Sequence, residues 1–283
     1  VRLPNFGYHA ARWEGGYWRK IYQSLLPAIV RKPIKVSRQV PFAVFSYSGQ
    51  ASLPEQVLSI RSFLRHAGRP RSYTVISDGS YASASIALLK KIDPSVVVHR
   101  ADNYVPDNLP PKVEHFIKTY PLGKQLGLIM SLPLNGEPAL YVDSDVLFFR
   151  GASHLVEALL PDGASALYLP DCRGDSADFR LFRDPKERPN PVNTGLLFLY
   201  RKLDWSLAIQ RYLELRDEPT FFTNQTMTHL TMHANDARPL DPRVFVLQLD
   251  DQFIYSDRYA GEDVILRHYV NPVRHKLWNT LLR

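Results

Sequence analysis

Residues 140–150 read Leu-Tyr-Val-Asp-Ser-Asp-Val-Leu-Phe-Phe-Arg, and no other stretch restricts the fold as tightly. One apolar strand runs into two aspartates and a second leaves them. Apolar residues on both sides mark buried strands. Carboxylates are almost never buried without a partner. Asp143 and Asp145 therefore sit at the open carboxyl edge of a sheet or hold a cation. An Asp-x-Asp pair there offers oxygens to a hard divalent ion such as Mg²⁺ or Mn²⁺ and leaves room for substrate phosphates. The plainer alternative is a polar turn between two core strands.

The rest of the chain supplies a sheet for that loop. Residues 42–47 form a first buried strand. Ser52 and Glu55 then make a capping box before a helix whose apolar face is Leu53, Val57, Ile60 and Leu64. Strand 73–77 ends at Asp78-Gly79, and helix 83–91 and strand 96–99 follow. Alternating strands and helices predict a largely parallel sheet with helices on both faces. The ends of the first two strands, Tyr47–Gly49 and Asp78, would then flank a nucleotide-sized cleft, although Asp-Gly also suits a simple turn. A helix over 117–132 carries Lys118 and Lys124 toward the central strand 139–142. Strand 166–169 precedes a polar, proline-containing stretch, 171–192, whose length marks a functional or disordered loop. Asn193-Thr194-Gly195 leads into strand 196–200, the glycine allowing close backbone approach. Helix 205–216, a helix opened by Thr223 as cap, and strands 244–249 and 264–266 complete the pattern.

Charge is unevenly placed. The net charge is +7, and residues 1–40 carry eight basic side chains against one acid, Glu14, which accounts for all of it. In this arm Trp13, Tyr17, Ile21 and Leu25, and likewise Trp18, Tyr22 and Leu26, recur every four residues, an amphipathic helical pattern weakened at its start by Gly15 and Gly16. It suits either an interfacial helix on an anionic membrane or a helix docked on its own domain; aromatic stripes at helical spacing favour docking. The bases do not cluster into a nucleic-acid-binding patch. No apolar run is long enough for a membrane span and no leader pattern is seen. A single cysteine, Cys172, excludes an intrachain disulfide and fits a cytoplasmic, or peripherally membrane-bound, setting.

Taken in order, Asp-x-Asp after Leu-Tyr-Val, Asn-x-Gly before an apolar strand, Asn-Gln opening a helix and a late His-Tyr resemble the GT-A glycosyltransferases. The set is most like the retaining family 8 enzymes related to bacterial lipopolysaccharide galactosyltransferases and glycogenin. The resemblance spans residues 42–278 and implies a Rossmann-like mixed, mainly parallel α/β sheet in a transferase domain, 41–283, behind the basic arm, 1–40. It implies transfer of a sugar from a nucleotide-diphosphate donor, a UDP-sugar above all, to a saccharide, lipid-linked or protein hydroxyl, with retention. Asp143, Asp145 and His268 would hold Mn²⁺ or Mg²⁺; Tyr47, Asp78, Lys124, Ser144, Gly195 and Lys276 would contact the donor. Asn193 and Gly195 would line the sugar pocket, Asp171 would face sugar or acceptor hydroxyls, and Gln225 would lie beneath the anomeric carbon.

The sequence departs from that family in three places. Asn224-Gln225-Thr226 replaces Asp-Gln-Asp, removing two carboxylates near the reaction centre. Asn271 replaces a glycine, and the late cation is Arg274 or Lys276, so His275 competes with His268 as ligand. A non-catalytic nucleotide-sugar or glycan-binding relative therefore stands as an alternative. A nucleotidyltransferase is disfavoured, because only Gly49 stands where a Gly-rich loop is needed.

Overall fold

The structure, a computed structural model, describes residues 5–134, 136–159 and 163–279. The first four residues of the basic arm and residues 280–283, at the end of the expected domain 41–283, lie outside it. The chain opens with helix α1 (Phe6–Ile29). Strands β1 (Ala43–Ser48), β2 (Tyr73–Ser77) and β3 (Val96–Arg100) follow, separated by α2 (Leu53–His66) and α3 (Ser83–Lys90). Next come α4 (Pro111–Thr119), α5 (Pro121–Met130), β4 (Ala139–Val142), β5 (Val146–Phe148) and α6 (Leu155–Leu159). The second half contains β6 (Ala166–Pro170), β7 (Val192–Leu199), α7 (Ser206–Leu213), α8 (Thr223–Ala234) and β8 (Arg238–Pro239). Short β9 (Phe245–Val246), β10 (Leu266–His268) and α9 (Lys276–Asn279) end the described chain.

Seven strands pair in the order β3-β2-β1-β4-β7-β6-β8, with β7 antiparallel to both neighbours and the other pairs parallel. This is the mainly parallel mixed sheet that the alternating pattern predicts. Side-chain alternation sends Val44, Val75, Leu140 and Phe198 to one face, against α2 and a small second sheet, β5-β10-β9. Phe45, Ile76, Tyr141 and Leu197 meet α4, α5, α7 and α8 on the other. Burial on both faces explains why strands β1, β2 and β4 read as continuous apolar runs.

Several local expectations are corrected. Ser52 makes no capping hydrogen bond; Glu55 instead binds Arg19 of α1 at 2.5 and 3.0 Å. The single helix over 117–132 is two helices, because Pro121 forces Tyr120 into an extended conformation. Thr223 is the first helical residue, not the cap, and its hydroxyl donates to buried Asp178 at 2.6 Å. Strand β7 begins four residues earlier than expected, so Asn193, Thr194 and Gly195 lie within the strand, Asn193 opposite Leu169 and the next two at an irregularity in the pairing with β6. Stretch 171–192 is a pinned insertion between β6 and β7, not a structureless loop. Asp171 N–H bonds Pro191 O at 2.8 Å, Asp184 caps a short turn, and Leu181 is buried.

Helix α1 docks through Ala11, Gly15 and Leu26. A Cβ on Gly15 would stand 2.5 Å from His275 O, so the residue that weakens the helix on propensity is what lets it approach α9. Tyr22 meets Trp278 at 5.3 Å between ring centroids. The Trp18–Tyr22–Leu26 stripe packs inward, whereas Trp13, Tyr17 and Leu25 stay exposed. No helix among the described residues is long and apolar enough to cross a membrane.

Candidate active site

The carboxyl edges of β1, β2 and β4 open on a cavity of about 550 Å³, the scale of a nucleotide-sugar pocket. The ends of β1 and β2 are joined there by an Asp78 N–H to Ser48 O bond of 3.0 Å. Tyr47, Asp78, Ser144, Asp171, Asn193 and Gln225 line the cavity together with Asp143, Asp145 and His268. Asp78 also accepts from Ser80 N–H at 2.8 Å, so the turn reading and the lining reading both hold. The phenol oxygen of Tyr47 is buried without a hydrogen-bond partner, a group left for a ligand to satisfy.

Asp143, Asp145 and His268 meet at the centre, each offering an atom within 4.8 Å of the others. The antiparallel pairing of β10 with β5 sets His268 opposite Val146, directly after the acidic loop. His268 Nε2 lies 3.1 Å from Asp145 Oδ1 and 3.7 Å from Asp143 Oδ2; its Nδ1 lies 3.0 Å from Asn193 Oδ1. Asn193 Oδ1 also accepts from Gly195 N–H at 2.9 Å. An amide oxygen on Nδ1 fixes the tautomer that frees Nε2 for a metal, a usual outer-shell device. Burial pushes the Asp143 carboxyl up to about 6. Burial also acts to raise Asp145, but His268 and Arg274 outweigh it and hold it well below the usual carboxylate range. For His268, burial is likewise outweighed, by Asp145 and Asp143, and the imidazole is raised. Two carboxylates and an oriented imidazole fit a divalent ion.

The network continues in both directions. Asn193 Nδ2 donates to Asp171 Oδ2 at 2.9 Å, and Gln225 Nε2 donates to the same oxygen at 3.1 Å. Asp143 Oδ1 accepts from Gln125 at 3.0 Å and from the Tyr141 hydroxyl at 2.7 Å; Asn224 in turn donates to Gln125 Oε1 at 2.9 Å. Asp145 Oδ2 accepts from Arg274.

Three sequence assignments differ in the structure, and the competing His275 lies apart from the acidic cluster. Lys124 does not line the cavity. One residue along α5 is a rotation of about 100°, which gives the inward place to Gln125. Lys276 is fully buried away from the cavity, donating to Ile254 O at 2.9 Å and Ser256 O at 2.7 Å, so Arg274 is the late cation beside the acidic pair. Gly195 does not face the cavity; a Cβ there would stand 2.0 Å from His268 Cε1, so its bareness makes room for the ring and not for the sugar. His275 Nδ1 turns to Pro272 O at 3.1 Å and its ring meets Tyr8, which leaves His268 in the acidic cluster. Sequence reading missed Gln125 and Tyr141; the parity of Tyr141, on β4, with Asp143 just past its end was the signal available.

No family model and no curated sequence matches the chain. Its fold, however, is similar to solved glycosyltransferases. Mouse xyloside xylosyltransferase 1 superposes with a TM-score of 0.56 at 17% identity, covering 83% of this chain and 99% of that one. The galactosyltransferase LgtC, solved with donor and acceptor sugar analogues, gives 0.55 at 13% identity, covering 84% and 96%. The glycosyltransferase GlyE of Streptococcus pneumoniae TIGR4 gives 0.53 at 13%, covering 86% and 61%. The chain has the GT-A fold of these glycosyltransferases, the fold that the motif order implied.

Proposed function

We propose that the protein is a divalent-metal-dependent glycosyltransferase that moves a sugar from a UDP-sugar to an acceptor hydroxyl. The observation that carries this is the Asp143–Asp145–His268 cluster, oriented by Asn193, at the floor of a nucleotide-sized cavity in a GT-A fold. Bound Mn²⁺ or Mg²⁺ would supply Lewis-acid stabilisation of the leaving diphosphate. Arg274, half-exposed beside Asp145, adds a cation for the same oxygens. Tyr47, Asp78 and Ser144 hold the nucleoside and diphosphate. Asp171 positions the Asn193 and Gln225 amides through one oxygen, so a polar, weakly basic wall faces the sugar. Such a wall tolerates an oxocarbenium-like centre and suits retention without a strong carboxylate nucleophile. The acceptor, a saccharide, lipid-linked or protein hydroxyl, enters beside residues 171–176.

The two lost carboxylates favour one second reading, a nucleotide-sugar-binding relative without turnover. Asn224 and Thr226 are both engaged internally, with Gln125 and with Asp178 N–H. Metal-dependent hydrolysis of a panel of nucleotide sugars separates the two. Turnover of one donor supports the transferase; tight binding of a donor with no turnover, even with acceptor mixtures, supports the binding relative.

A further inference from the structure

Helix α1 uses only one of its long faces for packing. On the other, Phe6, Trp13, Tyr17 and Leu25 stand 74, 74, 49 and 51% exposed. Trp13 and Tyr17 stack with ring centroids 5.7 Å apart, so the ridge is already ordered. Exposed Phe253 and Tyr255 broaden it at the amino end, Phe253 against Tyr8 at 5.5 Å and Tyr255 through its hydroxyl on Glu14. A contiguous exposed apolar ridge of this size marks an interaction surface.

Beside the ridge lies a second cavity, of about 610 Å³, bounded by Tyr22 and Ile29 of α1 and rimmed by Arg61, Arg65 and Arg150. Leu25 of the ridge falls between Tyr22 and Ile29 on the helix, so ridge and cavity adjoin. Among the described residues Glu262, paired with Arg150, is the one acid lining it. His66, also on the rim, is held below its ordinary value by burial and by Arg65 and Arg150. The arm adds Arg31, Lys32, Lys35 and Arg38 after the helix, and its single acid is taken up by Trp18 and Tyr255.

We propose that the outer face of α1 and the arginine-rimmed cavity beside it form a docking surface for a bilayer carrying anionic lipids. Aromatic rings on a convex helix sit at headgroup level while the surrounding bases meet lipid phosphates. The excess of positive charge complements an anionic lipid surface. A protein partner would have to supply a groove for a ridge that is convex and flanked by bases. The assignment is independent of sugar transfer and is tested without nucleotide.

The full chain is sedimented with vesicles of phosphatidylcholine alone and of phosphatidylcholine mixed with phosphatidylglycerol, across salt concentration. Binding to the mixed vesicles only, weakening as salt rises, is expected. Trp13→Ala with Tyr17→Ala should remove it, and Arg65→Gln with Arg150→Gln should weaken it by roughly fivefold per charge. All four positions are exposed, so melting temperature and metal-dependent UDP binding should stay unchanged, which separates this surface from the donor cavity. No sedimentation at low salt overturns the proposal, as does undiminished binding by the Trp13/Tyr17 variant. Self-association that the same variant abolishes, without vesicle binding, makes the face an interface between copies and overturns it equally.

Discussion

Two clusters in this protein gather aspartates around basic side chains from the last part of the chain, and they do opposite things. One is Asp251 and Asp257 around Arg267 and Lys276; the other is Asp143 and Asp145 around His268 and Arg274. In the first, Arg267 is fully buried, bonds both oxygens of Asp251 at 2.8 and 2.9 Å, and lies between the rings of Tyr259 and Tyr269 at 5.1 and 5.0 Å. Lys276 closes it with two carbonyl bonds. In the second, the cluster faces a cavity and its cation, Arg274, is half in solvent. A closed set of charges holds the fold; an open one is built to take a ligand. That difference, and not residue type, separates structure from site here.

The largest effect should come from breaking the closed cluster. Arg267→Met removes the bonds that satisfy buried Asp251 and Asp257, leaving only Lys276 at 3.6 Å from Asp251, and should cost about 3–5 kcal/mol, read by urea unfolding. By contrast Asp145→Asn should cost less, because relief of its repulsion with Asp143 offsets part of the lost attraction to His268 and Arg274. Equal losses would erase the distinction between the two clusters.

Next in size are the residues that aim the open cluster. Asn193→Ala should weaken Mn²⁺ binding about 10–100-fold, the usual cost of losing a metal ligand's outer partner. Gly195→Ala should do the same by pushing His268 aside, visible as weaker Mn²⁺ binding in calorimetry with the fold retained by circular dichroism. Unchanged affinity in both would mean that His268 is not a ligand.

Acidity gives a smaller, graded test. With the Asp143 carboxyl raised to about 6, protons compete with the metal below that pH. Because the His268 imidazole is also raised, Mn²⁺ affinity should already decline as pH falls through neutrality and fall further as pH drops through 6. A flat profile down to pH 5 would place the metal elsewhere. The smallest effect is expected from Lys124→Ala, which should leave UDP binding unaltered because the side chain lies outside the cavity.

The sequence made the sheet legible because β1, β2 and β4 are buried on both faces and so read as plain apolar runs. That Asp143, Asp145, His268, Asn193 and Gln225 would share one cavity was legible through their order along the chain. What stayed hidden depended on rotation and neighbours. Lys124 and Gln125 differ by one step on a helix, and only packing decides which turns inward. Lys276 looked like a phosphate ligand because nothing in its local sequence reveals that Ile254 and Ser256 offer it two carbonyls. The insertion at 171–192 reads as a loop since its anchors, Thr223 and Thr226 among them, lie some forty residues on.

The central claim is that the open cluster couples a divalent ion to a nucleotide diphosphate. Titration calorimetry of UDP into the full chain, with Mn²⁺ and with chelator, measures that coupling directly. The account predicts binding with Mn²⁺, none with chelator, and none in Asp145→Asn with the fold retained by circular dichroism. Equal UDP binding with chelator, or by the Asp145→Asn variant, would contradict it.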